Sequence, residues 1–226
     1  MTREELIGEI FEEEWKMFTS VNNTGGRADC QDDLPVFRIM RHAQMSVLPE
    51  EVLLSYAEDI SQAKAAGRNM MSEKYGYMMK YTFPGEYEAI KEMLPAVSQE
   101  KEAAASRIAA IFTEWTRETA AHYPFLAAQG RPVGTQDDMY SIVSSESYFR
   151  CELLTLGEKT LALYLEFAER EKTSGHNIQC RIMEDTMLSY GFSSLDEAEN
   201  SVRAAREERE KLGLDRIATE LCTNCR

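Results

Sequence analysis

The densest polar segment of the chain is Gly25-Gly-Arg-Ala-Asp-Cys-Gln-Asp-Asp33. A glycine turn followed by aspartates at a helix start admits two readings. In one, Asp32 or Asp33 accepts backbone N–H bonds as an N-cap. In the other, the segment is a polar constellation facing a cleft. Arg27 then binds an anionic group through its planar fork, with Gln31 beside it. Cys30, near a helix N-terminus where a thiol pKa falls, and Asp32 would carry any chemistry.

A second cluster is Gly67-Arg-Asn-Met-Met-Ser-Glu-Lys-Tyr75. Gly67 and Asn69 read as the C′ residue of one helix and the N-cap of the next. The functional alternative has Arg68 and Asn69 contacting a ligand and Lys74 or Glu73 doing acid–base work if buried. Arg41 joins Arg27 and Arg68 as a cation for the anionic group. Gly175-His-Asn177 is the counterpart further on, and His176 reads most simply as an exposed loop residue. Cys222-x-x-Cys225 supplies two metal ligands where tetrahedral zinc needs four. Cys30 and Cys180 are the other candidates for a zinc or iron–sulfur site, although nothing in their spacing selects them. The alternative is a frayed tail with incidental thiols. Met70, Met71, Met78 and Met79 read as core filler. No P-loop, H-E-x-x-H or G-x-S-x-G is found.

The elements that must position these residues are helical. Thr2 and Glu5 form a capping box, and Leu6, Ile10, Trp15, Met17 and Phe18 follow at helical spacing. A second helix follows Asp32-Asp33 with Pro35 in its first turn. Others are expected from Pro49 to Gly67, from Asn69 to about Tyr81, from Tyr87 to Leu94 and from Ser98 to His122. After the loop Gly130–Thr135, a helix is expected from Asp137 to about Cys151, continuing or restarting over Leu153 to Lys172. Ile178 to Tyr190 is another, and Ser194-Leu-Asp-Glu197 is a capping box opening a charged helix to Leu212. No segment has a period of two. The predicted fold is all-α, with about ten helices.

The halves read alike in the same order. Gly26-Arg27 with Gln31-Asp-Asp33 resembles Gly130-Arg131 with Gln136-Asp-Asp138. Tyr56-x-Glu58, Lys64, Gly67 and Asn69 match Tyr164-x-Glu166, Lys172, Gly175 and Asn177. Met78-Met-x-Tyr81-x-Phe83 matches Met187-Leu-x-Tyr190-x-Phe192. The predicted architecture is therefore one domain over residues 1–226. Two diverged tandem repeats, approximately 1–97 and 98–226, pack with pseudo-twofold symmetry into one globular unit, with a ligand cleft between them.

The chain has 226 residues with 25 Lys and Arg against 39 Asp and Glu, a net charge of −14. That charge argues against nucleic acid or an anionic membrane surface as partner. No stretch approaches the roughly 20 apolar residues of a spanning helix. The N-terminus lacks an apolar signal core, and five cysteines are an odd count, so reduced thiols in a cytoplasm are expected. Thirty of the acids are Glu and only eight residues are Val, which favours helix over strand.

Trp15-Lys-Met-Phe18, Gly25 to Asp33, Phe37-Arg-Ile-Met-Arg41, and Gly67 to Tyr75 with Met78-Met79, Thr82 and Pro84 resemble domain-of-unknown-function family 4125. The resemblance is strongest over residues 15 to 87. It implies a cytoplasmic bacterial protein and brings no activity with it. The leading functional expectation is a small-molecule-binding protein or enzyme acting on an anionic ligand in a polar cleft. The alternatives are a non-catalytic protein-interaction module and a metal or iron–sulfur protein. The residues name no cofactor and do not fix the oligomeric state.

Overall fold

The computed structural model describes residues 1–22, 26–139 and 142–213. Among these residues it contains eleven α-helices, three short 3-10 turns and one isolated bridge between Met139 and Ile142. The fold is all-α, with one helix more than the sequence pattern suggested.

Helix α1 spans Arg3–Thr19. The Thr2 hydroxyl accepts the Glu5 N–H, and the Glu5 carboxylate returns to the Thr2 N–H at 2.6 Å, so two otherwise orphaned donors are satisfied. Its buried stripe is Leu6, Ile7, Ile10, Phe11, Met17 and Phe18, with Glu14 in the middle. Helix α2, Leu34–Ser46, is capped by Asp33, and Pro35 presets its first turn. Helix α3, Glu50–Ala65, follows Pro49. It ends where Gly67 takes φ +68° and Arg68 N–H reaches the Ala63 carbonyl, a closure that glycine adopts without a Cβ clash. Asn69 then caps α4, Met70–Thr82. Helix α5, Pro84–Ile90, starts earlier than the expected Tyr87 because Pro84 supplies a first-turn φ, and it closes in a 3-10 turn.

Ser98 caps α6, Gln99–His122, and the four-residue α7, Pro124–Ala127, follows it. The expected helix from Asp137 is absent. Instead a 3-10 turn covers Thr135–Asp137 and α8 begins only at Ser145, spanning Ser145–Leu153. The Asp138 carboxylate explains the delay: it accepts the Ser144 N–H at 2.6 Å and the Ser147 hydroxyl. Such local bonds offer the backbone an alternative to helix. Helix α9, Glu158–Thr173, restarts after Gly157, whose N–H is bound by Asp59 of α3 at 2.8 Å. Helix α10, Ile178–Ser189, is capped by Asn177, and α11, Leu195–Lys211, by Ser194. At α11 the Glu197 carboxylate turns to Ser193 rather than to the Ser194 N–H, so the expected box closes one residue early.

Helix α1 packs on α2, α3 and α4, and α6 packs on α8, α9 and α10. Contacts of α3 with α9, α4 with α8 and α2 with α10 join the two sets. One continuous apolar cluster therefore holds Ile10, Leu53 and Met70 together with Ile108, Leu161 and Ile178. Met70, Met71 and Met78 lie in it, as core filler would. A smaller cluster under α7, α10 and α11 contains Leu126, Leu195 and Ala198.

Several turns correspond between the halves. Gly67 and Gly175 take φ of +68° and +74°. Asn69 caps α4 and donates to the Met17 carbonyl of α1 at 2.9 Å, while Asn177 caps α10 and donates to the Trp115 carbonyl of α6 at 3.0 Å. Lys64 pairs with Glu13, and Lys172 with Glu114. No helix among the described residues is long and apolar enough to cross a membrane.

Candidate functional site

The interior of the contact between α1, α2, α4 and α8 is charged. Glu14 stands one turn after Ile10 on the buried face of α1, only 1% exposed. Burying an ionised carboxylate this deeply is costly unless it is paired and hydrogen-bonded. Arg41 of α2 supplies the pairing. Its Nε donates to Glu14 Oε2 at 2.8 Å and its Nη2 to Glu14 Oε1, a two-pronged fork. The Tyr56 hydroxyl of α3 donates to Glu14 Oε1 at 2.5 Å. Arg41 Nη1 turns the other way, to Gln44 Oε1 at 2.6 Å and to Glu152 Oε1 of α8 at 2.8 Å. The second Glu152 oxygen accepts from Lys74 Nζ of α4. The result is a chain of alternating charge, Glu14–Arg41–Glu152–Lys74.

These contacts fix the protonation states. Burial alone would raise the Glu152 pKa, but Arg41 and Lys74 outweigh it and hold the carboxyl at about 2. Burial would lower Lys74, yet Glu152 raises it above the ordinary lysine value. Burial and Glu14 push the Tyr56 phenol well up. At neutral pH, Glu152 is therefore a fixed anion, and Lys74 is a cationic donor rather than a base.

The network reaches its edge at Tyr148 of α8. The Lys74 ammonium lies 3.6 Å from the centroid of that ring, and the Arg131 guanidinium lies 4.6 Å from the same centroid. Tyr75 lies beside Tyr148, and its phenol is raised by burial and by the nearby Tyr148 and Cys30. Glu152 retains 17% side-chain exposure here, and Cys30 is exposed.

Of the residues singled out from sequence, Arg41 and Lys74 meet on Glu152, and Cys30 lies within electrostatic reach of Tyr75. The others stand apart. Arg27 donates to Asp32 at 2.9 Å, to the Thr19 carbonyl at 2.9 Å and to the Gln31 carbonyl at 2.8 Å. Arg27 and Asp32 thus form an exposed pair that holds the turn after α1. Gln31 is buried at 1% exposure, donating to the Phe18 and Val21 carbonyls and accepting the Ala28 N–H. Arg68 grips Glu73 through two bonds of 2.7 Å. Asn69 is the α4 cap. Cys222 and Cys225 lie outside the described residues, and among those described no group of three or more His, Cys, Asp or Glu is arranged to hold a metal. Two open surface depressions, of about 550 and 410 Å³, are lined by residues such as Glu9 and Arg38 and by residues such as Glu114 and Lys172. Neither is lined by a member of the network.

Glu14, Gln44, Tyr56, Arg131, Tyr148 and Glu152 were not anticipated as site residues. For Glu14 a signal existed: it is a lone charge on an otherwise apolar helix face. Glu152 carries none, since its pairing with Lys74 spans 78 residues and with Arg41 spans 111.

The molecule is thus an all-α protein with an ionic network buried where α8 meets α1, α2 and α4. The chain belongs to the family described as "Protein of unknown function (DUF4125)", whose model matches residues 4–200. That match contains every member of the network and stops short of Cys222 and Cys225. No curated protein and no solved structure matches the chain.

Proposed function

We propose that the chain binds a small anionic molecule at the edge of the buried network, beside Tyr148. The observation that carries this is Arg131. Its guanidinium lies over the ring that also faces Lys74, and among the described residues only Nη1 is spent on the protein, at the Val143 carbonyl. Arg41 and Lys74 are paired with Glu14 and Glu152, and Arg131 stands over the Tyr148 ring with no ion-pair partner among the described residues. Among the described residues Arg131 keeps unengaged donors in a planar fork, the geometry that suits a carboxylate or phosphate. Tyr75 stands beside Tyr148, and the exposed Cys30 lies within electrostatic reach of Tyr75.

The two halves descend, on this reading, from one duplicated unit. The matched turns at Asn69 and Asn177 support it, with Arg131 standing where the first copy has Arg27.

The test is ligand-induced stabilisation. A native mass spectrum of the freshly purified protein reports any retained small molecule. Phosphate, citrate, short dicarboxylates and nucleoside monophosphates are then screened for a rise in melting temperature. A ligand present at 100 times its Kd stabilises the fold by about 2.7 kcal/mol. Arg131→Ala, at an exposed position, should keep the melting temperature of the free protein and abolish the ligand-induced rise. A clean native mass spectrum together with no rise for any member of the panel would reject the reading.

A further inference from the structure

Both halves build the same corner of the fold, from different side chains. The caps Asn69 and Asn177 donate to the carbonyls of Met17 on α1 and Trp115 on α6, which sets those two residues in matching places. Three residues before them stand Glu14 and Phe112, 1% and 6% exposed. Tyr56 and Tyr164 are each the seventh residue of their helix, α3 or α9. Arg41 and Phe149 each come eight residues before the N-cap of that helix, Pro49 or Gly157. In the second half these three places form an aromatic cluster. The Phe112 ring centroid lies 4.8 Å from Phe149 and 5.8 Å from Tyr164, and Phe149 and Tyr164 are 6.0 Å apart. In the first half the same places hold the Arg41 fork on Glu14 and the Tyr56 hydroxyl on the same carboxylate. The tyrosine is common to both. An ion pair stands in one half where two phenylalanines stand in the other.

This corner therefore closes without charge. Replacing a buried ion pair by apolar residues of similar volume is often neutral or stabilising, because the desolvation cost disappears. The pair has one property that phenylalanines lack. Arg41 Nη1 leaves the corner and reaches Glu152 at 2.8 Å, and the other Glu152 oxygen takes Lys74, whose ammonium lies 3.6 Å from the Tyr148 centroid. We propose that Glu14, Arg41 and Tyr56 are positioning residues for the anion site beside Tyr148, kept for that site and not for the fold; this rests on the function proposed above. Glu14 and Tyr56 fix the plane of Arg41, Arg41 holds one oxygen of Glu152, and Glu152 holds Lys74 against the ring. Without Arg41 that oxygen is released and competes with an incoming anion for the cations beside Tyr148.

The experiment makes the first corner apolar in the full chain, with Glu14→Leu, Arg41→Met and Tyr56→Phe together, and compares it with Arg41→Met alone. Melting temperature is read by circular dichroism, and the Kd values of inorganic phosphate and of citrate by calorimetry. Arg41→Met alone strands the Glu14 carboxylate and should lower the melting temperature by about 10 °C. The triple variant should return to within about 4 °C of the wild type, as the aromatic corner of the second half implies. Its Kd for whichever anion the wild type binds should nonetheless be at least about ten-fold weaker, since a loosened set of cations must be ordered again on binding. A purely structural role would move stability and affinity together. A triple variant that melts as low as the single one, or that binds the anion as tightly as the wild type does, overturns the proposal and leaves the anion site standing. A wild type that binds neither anion removes the site, and this role with it.

Discussion

Glu152→Gln removes one charge from the centre of the network and keeps the side-chain volume. In the wild type, Arg41 and Lys74 each hold one oxygen of Glu152. In the variant, Arg41 keeps Glu14, while Lys74, at 3% exposure, keeps no counter-charge. The Glu152 carboxyl moves from an ordinary value of 4.5 to about 2 in the fold. At about 1.4 kcal/mol for each tenfold change, that difference contributes about 3 kcal/mol of stability at neutral pH. Breaking a buried pair by removing one partner costs a similar 3–5 kcal/mol or so. Because the folded pKa is the lower one, the contribution is complete above pH 4.5 and is lost as pH falls towards 2. At pH 3 about half remains. Urea unfolding followed by circular dichroism at pH 7, 5 and 3 measures this directly. The variant should trail the wild type by about 3 kcal/mol at pH 7 and by about half as much at pH 3. Adding Lys74→Met removes the stranded cation, and the double variant should recover at least half of the loss. A deficit under about 1 kcal/mol at pH 7, or one of equal size at pH 3, would show that the network does not bear on folding as argued.

Asn69→Ala and Asn177→Ala each remove a helix cap together with a bond to a carbonyl of α1 or α6. Each should lower stability by about 1–2 kcal/mol in urea melts, and losses differing by more than about 2 kcal/mol would contradict equivalent roles. Cys151 is 1% exposed, and burial pushes its thiol up to about 12. Dithionitrobenzoate at pH 8 should therefore label the exposed Cys30 in native protein and leave Cys151 unlabelled until denaturant is added, as read by peptide mapping.

The helix starts at Thr2, Asp33, Asn69, Ser98 and Asn177 were legible because a cap is a local device, written within four residues of sequence. The start of α8 was not: Ser144 caps it, but Asp137 and Asp138 offer the same cap-type side chains upstream, and Asp138 instead accepts the Ser144 N–H six residues on. The site was less legible for a related reason. Dense polar clusters draw the eye, yet charges that are neighbours in sequence satisfy one another. Arg27 closes on Asp32 and Arg68 on Glu73, each five residues away and with the arginine at the surface. Such pairs hold turns and leave little for a partner. A charge that must find its counter-ion across the fold is the better guide, and it betrays itself by standing in an apolar stripe. Glu14, flanked at helical spacing by Ile10, Phe11, Met17 and Phe18, is costly to bury in that position without a cation and further donors. Its place on α1 therefore demands something like Arg41, 27 residues on, and Tyr56, 42 residues on. Arg41 in turn reaches Glu152, and Glu152 reaches Lys74. The chain of requirement runs from one misplaced carboxylate to the whole network, and it ends at Tyr148, over which Arg131 stands.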